Sequence, residues 1–166
     1  EVRLKQYLEM RGADGGPWNR ICALPAFWVG LLYDEKSLDN AFHIAKKFMN
    51  GSLLEESRIS AAKFGLNGII GESKIIDIAQ DLLSISFEGL ERRNFKGKNG
   101  LNETQFLDPL LNILKNRETA ADELLKKFKL NDKKVAIEHN GIIIPKTYYK
   151  KKFLKKIFIP VTYISL

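Results

Sequence analysis

The first eleven residues alternate in character. Arg3, Lys5, Tyr7, Glu9 and Arg11 fall on one face of an extended chain, and Val2, Leu4, Leu8 and Met10 on the other, with Gln6 out of pattern. This predicts one strand with an apolar and a charged side, placing Glu9 and Arg11 on the same face about 7 Å apart. Gly12, Ala13, Asp14, Gly15, Gly16 and Pro17 then break the strand, two adjacent glycines giving backbone freedom and the proline a fixed φ. Beyond it the pattern is helical. Residues 21–33 are almost wholly apolar around Pro25, which predicts a buried, kinked helix. Residues 35–49 predict an amphipathic helix with Leu38, Phe42, Ala45 and Met49 on its apolar side. Ser52 is the expected cap of a third helix running through Lys63, with Gly65 near its end. Ser73 is the expected cap of a fourth, residues 74–93, with Ile75, Ile78, Ala79, Leu82, Ile85 and Leu90 near its stripe. After a polar loop at 97–100, Asn102 with Gln105 and Thr119 with Asp122 mark the starts of helices 103–116 and 120–129. The expected class is α+β, mainly α-helical: one N-terminal strand followed by about six helices.

Composition narrows the function. The 166 residues are 45% hydrophobic and 28% charged, the profile of a soluble globular chain. No apolar run reaches the roughly 20 residues of a membrane span, so no membrane association is expected. The first residues lack a signal-peptide layout, from which a cytoplasmic location is expected. The net charge of +7 is unevenly placed. Six lysines and no acidic residue lie beyond residue 140, which leaves 21 basic against 20 acidic residues in the rest. A nearly neutral body does not carry the basic face that nucleic-acid binding wants. Residues 131–166 form a divergent tail rich in lysine and isoleucine, without clean period from 142 onward. Tyr148, Tyr149, Phe153 and Phe158 interleave with its lysines, so the tail is either a solvated extension or a binder of an anionic partner, nucleic acid or acidic lipid. His43 and His139 stand without neighbours at metal-ligand spacing. Cys22 is the only cysteine, so the chain has no internal disulfide, and the plain reading of Cys22 is a small buried helix residue.

One stretch is more specific. Residues 2–34, VRLKQYLEMRGADGGPWNRICALPAFWVGLLYD, resemble the segment of plant and proteobacterial glutamate–cysteine ligases in which a Glu-x-Arg strand end leads through a Gly-Ala-Asp-Gly-Gly-Pro loop into a helix with Cys-Ala-Leu-Pro. Weaker likeness at 88–93 (EGLERR) and 119–125 (TAADELL) extends the resemblance over residues 1–130, the expected C-terminal portion of the catalytic domain. The resemblance implies a ligase that joins the glutamate γ-carboxylate to cysteine through a γ-glutamyl phosphate, the first step of glutathione biosynthesis. ATP and Mg²⁺ are the implied cofactors. By the same resemblance Glu9 ligates the ATP-bound magnesium and Arg11 stabilises the transferring phosphoryl group. Gly12 and Asp14, in the loop, are implied nucleotide contacts; the alternatives are that the glycines only turn the chain and that Asp14 caps the next helix. Cys22 matches a family cysteine whose redox-sensitive partner lies far upstream, outside this sequence. The family's other metal carboxylates and its glutamate-binding arginine are also upstream. The implied partners are therefore glutamate, cysteine, ATP and the missing N-terminal catalytic portion, and the chain alone is expected to be inactive.

Overall fold

In a computed structural model, the structure describes residues 2–10, 16, 18–49, 51–123, 126, 137–139 and 142–144. The mainly helical α+β class is as expected. Its N-terminal β element is a hairpin: β1 (Val2–Leu4) pairs antiparallel with β2 (Leu8–Met10), with Arg3 opposite Glu9 and Leu4 opposite Leu8. The Lys5 amide donates to the Tyr7 carbonyl at 2.9 Å and closes the turn. The reversal centres on Gln6, where the alternation fails. An extended single strand would leave its backbone groups unpaired; folding back on itself satisfies half of them. Two more short antiparallel pairs follow, β3 (Ile69–Ile70) with β4 (Ser73–Lys74) and β5 (Ile137–His139) with β6 (Ile142–Ile144). The remainder of the tail lies outside the described residues.

The helices are α1 (Trp18–Leu32), α2 (Glu35–Lys46), α3 (Gly51–Phe64), α4 (Ile75–Arg93) and α5 (Asp108–Asn116), with a further helical start at 120–123. The core is the crossing of α1 and α4. Ala26, Phe27 and Leu31 meet Leu83 and Leu90, and Leu107 closes the end; Leu90 and Leu107 are wholly buried. A smaller cluster of Leu66, Ile75 and Ile76 joins α4 to the turn after α3. The two main helices approach closely because small residues line the crossing. A Cβ added to Gly89 would lie 2.0 Å from the Gly30 carbonyl oxygen, and one added to Gly30 would lie 2.2 Å from that of Ser86. Polar groups caught in this contact are paired: the Ser86 hydroxyl donates to the Phe27 carbonyl and the Ser37 hydroxyl to the Ile85 carbonyl, each at 2.9 Å.

Several details depart from the periodic reading. The expected helix 35–49 ends at Lys46, and its expected apolar side faces outward, with Leu38 and Phe42 of α2 and Met49 beyond it exposed, while Ser37 is buried against α4. Ala41, one turn on from Ser37, packs against the core on the same side, and the Ser37 hydroxyl is satisfied there by the Ile85 carbonyl. The expected helix 103–116 is two elements, a 3₁₀ turn at Glu103–Leu107 and α5. Pro109 lacks an amide to donate into a continuing helix and so stands at a helix start. Asn102 caps the 3₁₀ turn, accepting from the Thr104 amide at 3.1 Å. Ser73 sits in β4, not at a cap, and the Ile75 amide donates instead to the Gly68 carbonyl. Ser52 lies inside the first turn of α3. The Thr119–Asp122 capping box is formed as expected, with reciprocal bonds of 2.9 and 3.3 Å. No described helix is long and apolar enough to cross a membrane.

Candidate active-site segment

Glu9 is held on β2 opposite Arg3. Its side chain is 31% exposed, yet one carboxylate oxygen, Oε2, is shut off from solvent and has no hydrogen-bond partner among the described residues. The Lys5 ammonium is 3.6 Å from that oxygen, close enough for an ion pair and too far for a hydrogen bond. An anionic oxygen removed from water without a donor is costly, and a hard cation relieves that cost. Glu9 is therefore suited in kind to hold Mg²⁺. It is one ligand of the several that such an ion requires, and no group of three His, Cys, Asp or Glu side chains at metal-binding distance occurs among the described residues.

The other residues of the expected site are placed unevenly. Arg11, Gly12 and Asp14 lie outside the described residues. Gly16, at the loop's exit, sits against the first turn of α1: a Cβ there would be 3.3 Å from the Cβ of Arg20. Arg20 in turn donates to Glu123 at 3.1 Å, joining the start of α1 to the helical start at 120–123. Cys22, two residues further along α1, is half-buried and forms no disulfide.

An ion-pair network that periodicity does not reveal sits at the α1–α2 junction. Asp34 caps α2 through the Ser37 amide at 2.8 Å, and Arg92 of α4 grips its carboxylate from 58 positions away at 2.8 and 3.1 Å. Arg92 also reaches Glu88 and the Ser37 hydroxyl. The neighbouring Arg93 pairs with Glu103 at 3.0 Å. The segment 88–93, which carries part of the family likeness, thus has structural work: Gly89 makes the helix crossing, Arg92 pins the α2 cap and Arg93 ties down the 3₁₀ turn. The only signal available in sequence is that Asp34 closes the first motif and Arg92 lies in the second.

The Arg92 guanidinium, and after it the Ser37 amide, hold the Asp34 carboxyl well below the usual carboxylate range. A group depressed in the folded state adds stability above its unfolded pKa of about 3.9, and loses it as pH falls from there towards the folded value. The expected outcome is that Asp34→Asn is less stable than the parent at neutral pH, with the gap closing as pH falls below about 4. Urea denaturation midpoints at pH 7 and pH 3 measure it; a gap of constant size would show that the charge pair is not its source.

The chain belongs to the glutamate-cysteine ligase family 2 (GCS2), which it matches over residues 1–144. It is 45% identical over 126 residues to the chloroplastic glutamate–cysteine ligase of Solanum lycopersicum, covering 76% of this chain and 23% of that one. The Nicotiana tabacum enzyme is 44% identical with the same coverage. The chloroplastic ligase A of Oryza sativa subsp. indica is 42% identical over 132 residues, 78% of this chain and 25% of the relative. The chain spans about a quarter of the length of these curated relatives. These names overturn the expected cytoplasmic location: the relatives are chloroplastic enzymes. The expectation rested on the absence of a leader in the first residues, and for a chain matching a quarter of a relative that absence carries no information.

Proposed function

We propose that this chain supplies the C-terminal part of an ATP-dependent ligase that joins the γ-carboxylate of glutamate to the amine of cysteine, the first step of glutathione biosynthesis. Family membership supports the reaction, and the solvent-shielded oxygen of Glu9, ion-paired to Lys5 but without a hydrogen-bond donor among the described residues, is the observation that supports it in this chain. The carboxylate must first be made electrophilic. Its oxygen attacks the terminal phosphorus of ATP and ADP departs, giving a γ-glutamyl phosphate. The cysteine amine then attacks the acyl carbon, phosphate leaves with the C–O bonding pair, and the amine gives up a proton as the amide forms. Little of this requires covalent participation by protein; it requires aligned reactants and charge neutralisation around the phosphoryl oxygens.

In that scheme Glu9 would be one of the ligands of the ATP-bound magnesium. The ion, when bound, supplies charge neutralisation at the phosphates. Arg11, two residues on, carries the guanidinium that pairs with the transferring phosphoryl group in the manner such forks pair with oxyanions. Gly12 and Asp14 are the proposed nucleotide contacts that follow them in sequence. The remaining metal ligands and the glutamate site come from the rest of the ligase domain, the partner this chain requires. Cys22 is the candidate redox thiol; its disulfide partner has to come from outside this sequence, which has no second cysteine.

The test is direct. Purified alone with ATP, Mg²⁺, glutamate and cysteine, the 166-residue chain is expected to form no γ-glutamylcysteine, since one carboxylate cannot secure a metal–nucleotide. Mixed with or fused to the remainder of the tomato enzyme, it is expected to restore product formation. Product from the chain alone would show that the site is complete here, and failure of the folded assembly to make product would remove the proposal.

A further inference from the structure

We propose that the outward side of α2, with Leu38 and Phe42 on the helix and Met49 just beyond it, is a docking surface for the remainder of the ligase domain. The inference rests on reading this chain as one part of that ligase. The helix is already held on one side, where Ser37 is buried and Ala41 packs against the core. The side next to it is apolar as well. Leu38, Phe42, Ala45 and Met49 recur every three or four residues and are all exposed, Phe42 by 49% and Met49 by 72%. Lys46 lies over the Phe42 ring at 4.7 Å and still leaves half of that side chain open. A single exposed apolar side chain is ordinary, but a stripe of them at helical spacing marks a contact. A helix that is apolar beyond its core-facing side is one covered from two sides.

A true solvent side occurs in the same molecule for comparison. α4 is the longer helix, 19 residues, yet it turns Asp77, Gln80, Asp81, Ser84 and Glu88 outward, and none of its large hydrophobic side chains is exposed. The apolar excess continues instead from α2 into α3, which has no buried residue and exposes Leu54, Ile59 and Phe64. The occupant follows from how little of the relatives this chain spans. It covers about a quarter of their length, and the stripe falls inside the region that matches the family. Residues 145–166 fall outside that match, which disfavours the tail as the cover. A second copy is disfavoured by size: three side chains at one helix are far short of the roughly 20–30 residues a side of a standard stable interface. A surface continuous with the rest of one domain needs no such area of its own.

Footprinting tests this by comparing the full chain alone with the chain fused to the remainder of the tomato enzyme. Hydroxyl-radical labelling of Phe42 and Met49 is expected to fall about five-fold or more on fusion, the change from a half-exposed position to the core of an interface. Carboxyl labelling of Asp77 and Asp81 on α4 should stay as it is. Phe42→Glu is expected to leave the melting of the chain alone unchanged, because that position is already half in water. In the fusion it should lower the midpoint by several degrees, because the new charge is buried without a partner. Gln80→Glu on α4 should be silent in both. Labelling of Phe42 that fusion does not change would overturn the inference. So would a chain that sediments as a dimer and becomes a monomer on Phe42→Glu, which makes a second copy the occupant. Labelling of Phe42 that rises when residues 145–166 are removed would give that place to the tail. The ligase reading fails separately, as a fusion that protects Phe42 and Met49 yet forms no γ-glutamylcysteine.

Discussion

Gly89→Ala is expected to lower the stability of the chain by about 2–3 kcal/mol, a fall of several degrees in the thermal midpoint for a chain of this size. Helix propensity alone predicts the opposite sign, since alanine is favoured over glycine in a helix interior by about 1 kcal/mol. Packing decides it. The new Cβ would stand 2.0 Å from the Gly30 carbonyl oxygen and 2.7 Å from the Ser37 hydroxyl. The first obstacle is backbone, so no rotamer change relieves it and α1 must move away from α4. That movement loosens the cluster of Leu31 and Leu90, which are 3% and 0% exposed, and stretches the hydrogen bond from Ser86 to Phe27. Gly30→Ala meets the same problem from the other side, at 2.2 Å from the Ser86 carbonyl oxygen. Gly51→Ala is the control, because nothing lies within 4 Å of its added Cβ. It should be neutral or slightly stabilising. Thermal melts followed by circular dichroism compare the three, and a raised midpoint for Gly89→Ala would show that the two helices do not cross as described.

The helices themselves are legible in the sequence because burial on a helix repeats about every 3.6 residues, and that repeat survives in α1 and α4. The Asn102 and Thr119–Asp122 starts are legible too, since a cap is a local hydrogen bond between residues two or three apart. What periodicity misses depends on contacts distant in sequence. The inward face of α2 carries Ser37 and Ala41, and the partner of Ser37 is the Ile85 carbonyl 48 positions away, so a rule that turns the largest apolar residues inward selects the wrong face. The N-terminal hairpin turns on Gln6, visible beforehand only as a flaw in an alternating strand. The grip of Arg92 on Asp34 has no local trace at all. As for the site, alternation alone makes Glu9 an ordinary surface carboxylate; the flanking motif singles it out, and the structure adds that one of its oxygens is shielded and lacks a donor among the described residues.

In the assembled ligase, Glu9→Gln and Arg11→Ala are expected to fail in different ways. The amide introduced by Glu9→Gln would keep the shape and one oxygen but lose the charge, so the first loss is in metal–nucleotide affinity. We expect the Mg²⁺ concentration for half-maximal rate to rise about ten-fold or more, within the range seen when groups supporting a bound metal are altered. Excess Mg²⁺ should recover part of the rate. Arg11→Ala removes a charge that matters most while the phosphoryl group is in flight, when its oxygens carry charge that no ground-state partner neutralises. Its expected cost is about 10²–10³ in kcat, the scale for deleting one preorganised donor from a transition state, with the ATP KM changed far less. Added Mg²⁺ should not rescue it. Initial rates over a matrix of Mg²⁺ and ATP concentrations separate the two behaviours. If Glu9→Gln titrates with Mg²⁺ as the parent does, the carboxylate is not a metal ligand, and its shielded oxygen belongs to the hairpin's own packing against Lys5.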